Sequence, residues 1–368
     1  MHTAPSTGTE PAVRKPLPDE LVVRQQNGAE SRWESMWEGE HQQSDTPTDR
    51  FFVRNHTATP QIDVDTWRLM LYGSGLRGAP DRTTPITFDY DELRALPSRT
   101  ERILLECTGN ARSLFVSQQG DPAPPGTSWG LGAIGTATWT GVPLRTLLEH
   151  AGITAAAVSL LPTGLDGDFF DEGVHNGPVR RPLPVGKAMD DVLVAYEMNG
   201  EPLLPDHGFP VRLVVPAWVG IASIKWLGEI EVSTTPLHSP WDTTYYFMDG
   251  EPLTELIPKS VLELAWNAPL QSGRRHQLRG RAWSGTDKII SVEVSVDDGR
   301  NWQHAELCED GPWVRWQFDW SPGADDRGPR KIMSRATDAA GRRQPDRTPV
   351  NPRGYLFGAV VQHPVMII

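Results

Sequence analysis

The chain has 368 residues, of which 38% are hydrophobic and 22% charged, and its 14 tryptophans with that balance exclude wholesale disorder. At roughly 150 residues per domain the length implies two domains. No apolar run reaches about 18 residues, which excludes a membrane-spanning helix, and a formal charge of -12 argues against a nucleic-acid partner.

Residues 1–48 are polar, with Trp33, Met36 and Trp37 as apolar anchors, and are expected to form an extended arm. The start, MHTAPSTGTEPAVRK, has neither an apolar signal core nor a twin-arginine pattern, so the expected address is the cytoplasm. From 49 to 250 short apolar segments alternate with Gly/Pro turns. Strands are expected at Thr66–Tyr72, Arg102–Glu106, Ala156–Leu161, Val211–Val215 and Ile221–Ile230. A helix is expected from Asp89 to Leu96, ending before Pro97. Another runs from Pro143 to Ala151, where Leu144, Leu147 and Leu148 share a face and Gly152 stops it.

Residues 251–368 change character. Ile290, Val292, Val294 and Val296 alternate, the turn Asp297-Asp298-Gly299 follows, and Trp302 opens a return strand. Val314, Trp316, Phe318 and Trp320 repeat the pattern, as does Lys331–Thr337 before the turn Asp338–Gly341. The fold class expected is α+β: a mixed α/β domain followed by an all-β, immunoglobulin-like sandwich of about 110 residues.

Three segments carry candidate chemistry. Arg102–Glu106 reads as a buried strand that delivers Cys107 to its end, followed by a Gly109-Asn110 turn and Arg112. A thiolate held there is a rigid soft metal ligand, and a neighbouring guanidinium binds oxyanions at two points. Phe51-Phe52-Val53-Arg54-Asn55-His56 brings arginine, amide and imidazole together. Asp206-His207-Gly208-Phe209-Pro210-Val211-Arg212, with Ser223-Ile224-Lys225-Trp226, does the same at strand ends. Taken singly, each has a plain structural explanation. Cys107 and Cys308 are the two cysteines, too few for a disulfide framework or a structural zinc site, with a single bridge left open.

In this order the motifs resemble the sulfite oxidase family of molybdopterin enzymes, which includes the molybdenum domain of assimilatory nitrate reductases. The matching pieces are Arg54-Asn55-His56, Cys107–Ser113, Trp129 with Gly132-Ala133-Ile134, Trp139–Arg145, Ala195–Gly200, Asp206–Arg212 and Lys225-Trp226-Leu227. The resemblance runs from about residue 50 to 368. It implies a molybdenum held by one pterin dithiolene and by the thiolate of Cys107. It implies substrate arginines at Arg54 and Arg112, with Trp129 walling the pocket. Phe51, Arg54, Asn55, His56, Thr108, His207, Arg212, Ser223 and Lys225 would hold the cofactor, and a tyrosine beside the metal falls on Tyr246 rather than Tyr245, counting from Trp241. The implied reaction is oxygen-atom transfer, with sulfite oxidised to sulfate. The C-terminal domain would form a homodimer, and electrons would pass to a separate acceptor such as a cytochrome c.

Two departures bear on the anion site. The family frequently has two arginines after Gly-Asn, where this chain has Ala111 before Arg112. The substrate arginine that the family takes from the C-terminal domain has Arg315 as its nearest candidate. Two other functions stay open: reduction of nitrate or an S- or N-oxide on the same cofactor, and a cofactor-free binding protein on the same fold.

Overall fold

A computed structural model describes residues 13–35, 45–309 and 311–368. Met36 and Trp37 lie outside the described residues. Trp33 is buried, and its indole donates to the Leu262 carbonyl, 2.6 Å away. The described part of the arm is more than an extended tether. Leu21–Gln25 and Gly28–Ser31 form a hairpin, which pairs with Val53–Arg54 as a three-stranded sheet.

The chain is mostly β, and its helices among the described residues are short. One five-stranded sheet runs in the order Leu183–Pro184, Ser159–Gly164, Leu227–Ser233, Leu69–Tyr72 and Ile86–Phe88, with its third and fourth strands parallel. A second consists of Glu201–Pro202, Leu193–Met198, Ile134–Pro143 and Arg99–Glu106, with Arg212–Val214 paired to Leu193–Met198. Between them lies a core that includes Trp67, Leu69, Leu71, Val194, Leu213 and Ile230. Leu144, Leu147 and Leu148 project into it from the helix Leu144–His150, the one-face spacing legible in the sequence. The helix Tyr90–Arg94 begins on a capping box made by Asp89 and Glu92.

The expected strand Ile221–Ile230 is corrected. Its first half is a tight 3-10 turn over Gly220–Ala222, and the strand proper is Leu227–Ser233. The apolar run there is buried without being extended, because the Val215 amide donates to the Ser223 hydroxyl and Trp226 takes a positive φ. That detour leaves Ser223 and Lys225 beside a cavity. Gly220 is required for it: a Cβ there would stand 2.8 Å from the Glu106 carbonyl.

Beyond residue 258, two sheets face each other. The first contains Lys259–Leu262, His276–Trp283, Val314–Trp320 and Glu306–Glu309; the second contains Ala268–Leu270, Gln362–Ile367, Gly328–Asp338, Ile289–Ser295 and Gln303–His304. Leu262, Leu278 and Trp316 from one meet Val292, Ile332 and Val365 from the other, as the alternation of these strands requires. Cys107 is buried and Cys308 exposed, and no disulfide joins them. No helix among the described residues is long and apolar enough to cross a membrane.

One pH effect follows from this part of the chain. His363 is buried, stacked on Trp266 with ring centroids 4.7 Å apart, and its Nε2–H donates to the Ala265 carbonyl at 3.2 Å. Burial lowers its pKa from 6.5 to about 4. The folded chain therefore binds fewer protons here than the unfolded chain between those values. Stability from this group is complete above pH 6.5 and falls as the pH drops to 4, by about 3 kcal/mol. Urea unfolding across that range is expected to show the loss in the wild type. The difference between wild type and His363→Phe should carry the slope; parallel profiles would disprove it.

Candidate functional site

Two cavities meet at Cys107. The inner one is lined by Phe51, Asn55, Thr108, His207, Arg212, Ser223 and Lys225 among others. The outer one is lined by Arg112, Trp129, Tyr245, Arg353 and Tyr355 among others. Arg54, His56, Cys107 and Tyr246 line both. The structure therefore brings the residues expected at the site into one connected space, with the exception of Arg315.

Cys107 follows the strand Arg99–Glu106, and its amide donates to the Ala133 carbonyl at 2.9 Å. Burial pushes the thiol up, against the opposing pull of Arg54, Arg112 and the Gly109 amide. Beneath it the turn is fixed by Glu106. Its carboxylate accepts from Asn110 Nδ2 at 3.0 Å, from Lys259 Nζ at 2.6 Å and from Trp283 Nε1 at 2.9 Å. The last two partners come from one C-terminal sheet, so the two parts of the chain together hold the cysteine in place.

Arg112 is clamped by main chain. Nε donates to the Arg353 and Gly354 carbonyls at 3.0 and 3.2 Å, and Nη1 donates to Thr127 O at 2.7 Å. Gly109 permits this approach, since a Cβ there would lie 2.6 Å from Arg112 Nη2. Where a second arginine was missing from the motif, Ala111 is buried with φ +68° and packs in the apolar cluster that holds Trp33 and Phe357. Trp129, 1% exposed, forms part of the outer wall.

Arg315 is corrected. Its strand places it opposite Arg281, and its guanidinium pairs with Glu263 at 3.6 Å; it lines neither cavity. The C-terminal arginine in the outer cavity is Arg353, with its guanidinium 5.2 Å from the Tyr245 ring centre. Sequence reading missed it, although the run Pro352-Arg353-Gly354 after an irregular stretch was a weak signal. Tyr355 was missed as well. It stacks on Tyr246 with centroids 5.1 Å apart and planes at 6°, beneath Arg112. Tyr246 is the buried phenol at the junction, its hydroxyl 3.4 Å from His56 Nε2, whereas the Tyr245 hydroxyl is bonded to Asp171.

The inner cavity concentrates positive charge. Burial brings Arg212 down to about 9 and lowers Lys225 well below its usual range, the latter helped by Arg212. His56 and His207 are likewise lowered, first by burial and then by neighbouring cations. Asp166, an acid in this wall, is raised to about 6 by burial. Cations crowded out of water in this way are stabilised by an anion of matching shape. Ser223 Oγ accepts from the Val215 amide, and Asn55 Oδ1 accepts from Lys225. Thr108 Oγ1 is buried with no partner, the mark of a missing polar ligand.

These features fit a molybdopterin. No cluster of three or more His, Cys, Asp or Glu able to hold a metal exists among the described residues. A metal beside Cys107 must therefore bring most of its donors with it, as a dithiolene does, and the basic inner cavity suits a phosphate-bearing pterin.

The comparisons agree. Residues 56–241 match the oxidoreductase molybdopterin binding domain, and residues 259–363 match the Mo-co oxidoreductase dimerisation domain. The chain is 34% identical over 342 residues to mitochondrial sulfite oxidase of Rattus norvegicus, covering 85% of this chain and 60% of that protein. It is 31% identical over 326 residues to a nitrate reductase [NADH] of Ulva prolifera, covering 74% of this chain and 35% of that protein. The sulfane dehydrogenase SoxCD of Paracoccus pantotrophus superposes with a TM-score of 0.73 at 26% identity, over 90% of this chain and 82% of that one. The chain thus spans about three fifths of the length of the mitochondrial sulfite oxidase it matches. With a buried cysteine, a basic inner cavity and an arginine-lined outer cavity already in one place, the matched domains establish that this chain belongs to the sulfite oxidase family of molybdopterin-dependent oxidoreductases, whose cofactor is molybdopterin with molybdenum.

Proposed function

We propose that the chain oxidises sulfite to sulfate. The observation that carries this reading is the position of Cys107 at the junction of a basic inner cavity and an outer cavity lined by Arg112 and Arg353, with Arg54 common to both. Sulfite gains one oxygen from water, and two protons and two electrons leave. The bound cofactor supplies the oxygen-atom and electron chemistry.

The chain's own residues divide the remaining work. Cys107 is the metal's protein ligand. Phe51, Arg54, Asn55, His56, Thr108, His207, Arg212, Ser223 and Lys225 hold the pterin and its phosphate. Arg54, Arg112 and Arg353 attract and orient the oxyanion, and Trp129 excludes water on one side. Tyr246, with its hydroxyl beside His56 Nε2, holds a proton at the junction.

Residues 49–250 form the catalytic unit on this reading. Residues 251–368 form an immunoglobulin-like dimerisation domain, and the match to a dimerisation domain supports a homodimer. An acidic chain favours a basic electron acceptor such as a cytochrome c.

The test is sulfite-dependent reduction of ferricyanide and cytochrome c by the loaded protein. Arg353→Met is expected to raise the KM for sulfite roughly 10- to 100-fold, the loss of one or two charge-assisted hydrogen bonds. The nitrate reductase relative supports a second reading, reduction of nitrate. Oxidation of reduced viologen by nitrate, with sulfite inert, would select it.

A further inference from the structure

Lys15, in the N-terminal arm, is 4% exposed and reaches the inner cavity's wall. Its Nζ donates to Phe51 O at 2.6 Å and to Thr48 O at 2.8 Å, and stands 3.3 Å from His207 Nε2. The arm is fixed there by Asp206. The amides of Arg14 and Lys15 each donate to Asp206 Oδ2 at 2.6 Å, and Asp206 is itself fully buried one residue before His207.

An ammonium has three hydrogens to donate and no lone pair. Lys15 has three acceptors within reach, two carbonyls and, where Nε2 of His207 is bare, one imidazole nitrogen. Burial and the cations Lys15, Lys225 and Arg212 keep the ring neutral. In a neutral ring the proton then resides on Nδ1, which has no hydrogen-bond partner among the described residues. The competing contact is Thr48 O, also 3.3 Å from Nε2. Donation to it would direct an N–H at the edge of a site where Lys15 already donates to the same carbonyl.

We propose that Lys15 is a positioning residue that fixes the proton of His207 on Nδ1 and so makes His207 a hydrogen-bond donor to the anionic ligand of the inner cavity. On the reading above, on which this rests, that ligand is the pterin with its phosphate. The arm thereby becomes part of the cofactor site without touching the cofactor: it sets the polarity of a residue that does.

Nitrogen-15 NMR of the histidine side chains reads the tautomer directly, in the full chain purified with and without molybdopterin. The measurement belongs at pH 6, below the titration of Lys15, which burial lowers to about 7. The wild type should show His207 protonated at Nδ1 and bare at Nε2. Lys15→Met should move the proton to Nε2, facing Thr48 O, and speed pterin release on dilution by about tenfold, the worth of one hydrogen bond to a charged group. A wild-type ring protonated at Nε2 overturns the proposal without recourse to any variant, as does a Lys15→Met protein with unchanged tautomer and pterin release. A wild type protonated at Nδ1 that never binds pterin would support the hold of Lys15 on His207 and overturn the functional reading alone.

Discussion

Cys107→Ser is expected to lower sulfite turnover by roughly a thousandfold or more, beyond the 10- to 100-fold that loss of a merely supporting residue costs around a metal. The two side chains are nearly the same size, and the site is only 9% exposed, so packing changes little. A hydroxyl oxygen is a hard donor that holds its proton far more tightly than a thiol, so the proposed soft metal site would lose its protein ligand. The surrounding geometry stays: the Cys107 amide is held by Ala133 O, and Glu106 anchors the turn from below. Thermal unfolding of the variant should stay within about 1 kcal/mol of the wild type. Pterin content should fall less than activity does, because the inner cavity's cations are untouched. Metal analysis, pterin fluorescence and the ferricyanide assay on the same preparation check this. Turnover within tenfold of the wild type would remove Cys107 from the role of ligand and with it the assignment of the outer cavity.

Much of the site was legible because its residues sit at the ends of apolar strands, where period and polarity change together. Cys107 after Ile103-Leu104-Leu105, and Arg212 at the start of Arg212–Val214, are of this kind. Residues whose role depends on a distant partner left no such trace. Arg315 drew notice because it lies in an alternating strand, yet the register that makes the strand recognisable turns it to Glu263. Arg353 lies in an irregular segment and lines the outer cavity beside Gly354, which packs closely against Pro124 and Arg112. Lys15, Asp206 and Glu106 are charged residues buried by contacts 150 or more positions away, which no local pattern encodes. Ile221–Ile230 misled for the opposite reason: apolar content marks burial, and burial here is compatible with a tight turn.

The ion pair beneath the cysteine carries the largest expected effect on stability. Lys259 and Glu106 are 5% and 1% exposed, and Nζ lies 2.6 Å from Oε1. Lys259 and Trp283 are opposite each other in the C-terminal sheet, which is how they reach the two oxygens of one carboxylate. Lys259→Met leaves that carboxylate buried with only the neutral donors Asn110 and Trp283. Removing one partner of a buried pair costs about 3–5 kcal/mol, because the remaining charge is not rehydrated. At roughly 2–4 °C per kcal/mol for domains of this size, the melting temperature should fall by about 6–20 °C. Adding Glu106→Gln removes the stranded charge while keeping an acceptor for Trp283, so the double variant should recover most of the loss. The energetic link also reaches the chemistry, since Glu106 immediately precedes Cys107 and holds Asn110, whose Oδ1 in turn accepts the Ala133 amide. Lys259→Met should therefore lose metal at a lower temperature than it loses secondary structure, followed by metal release and circular dichroism in one melt. A single variant as stable as the double one would show that the pair is not what ties the second half of the chain to the cysteine.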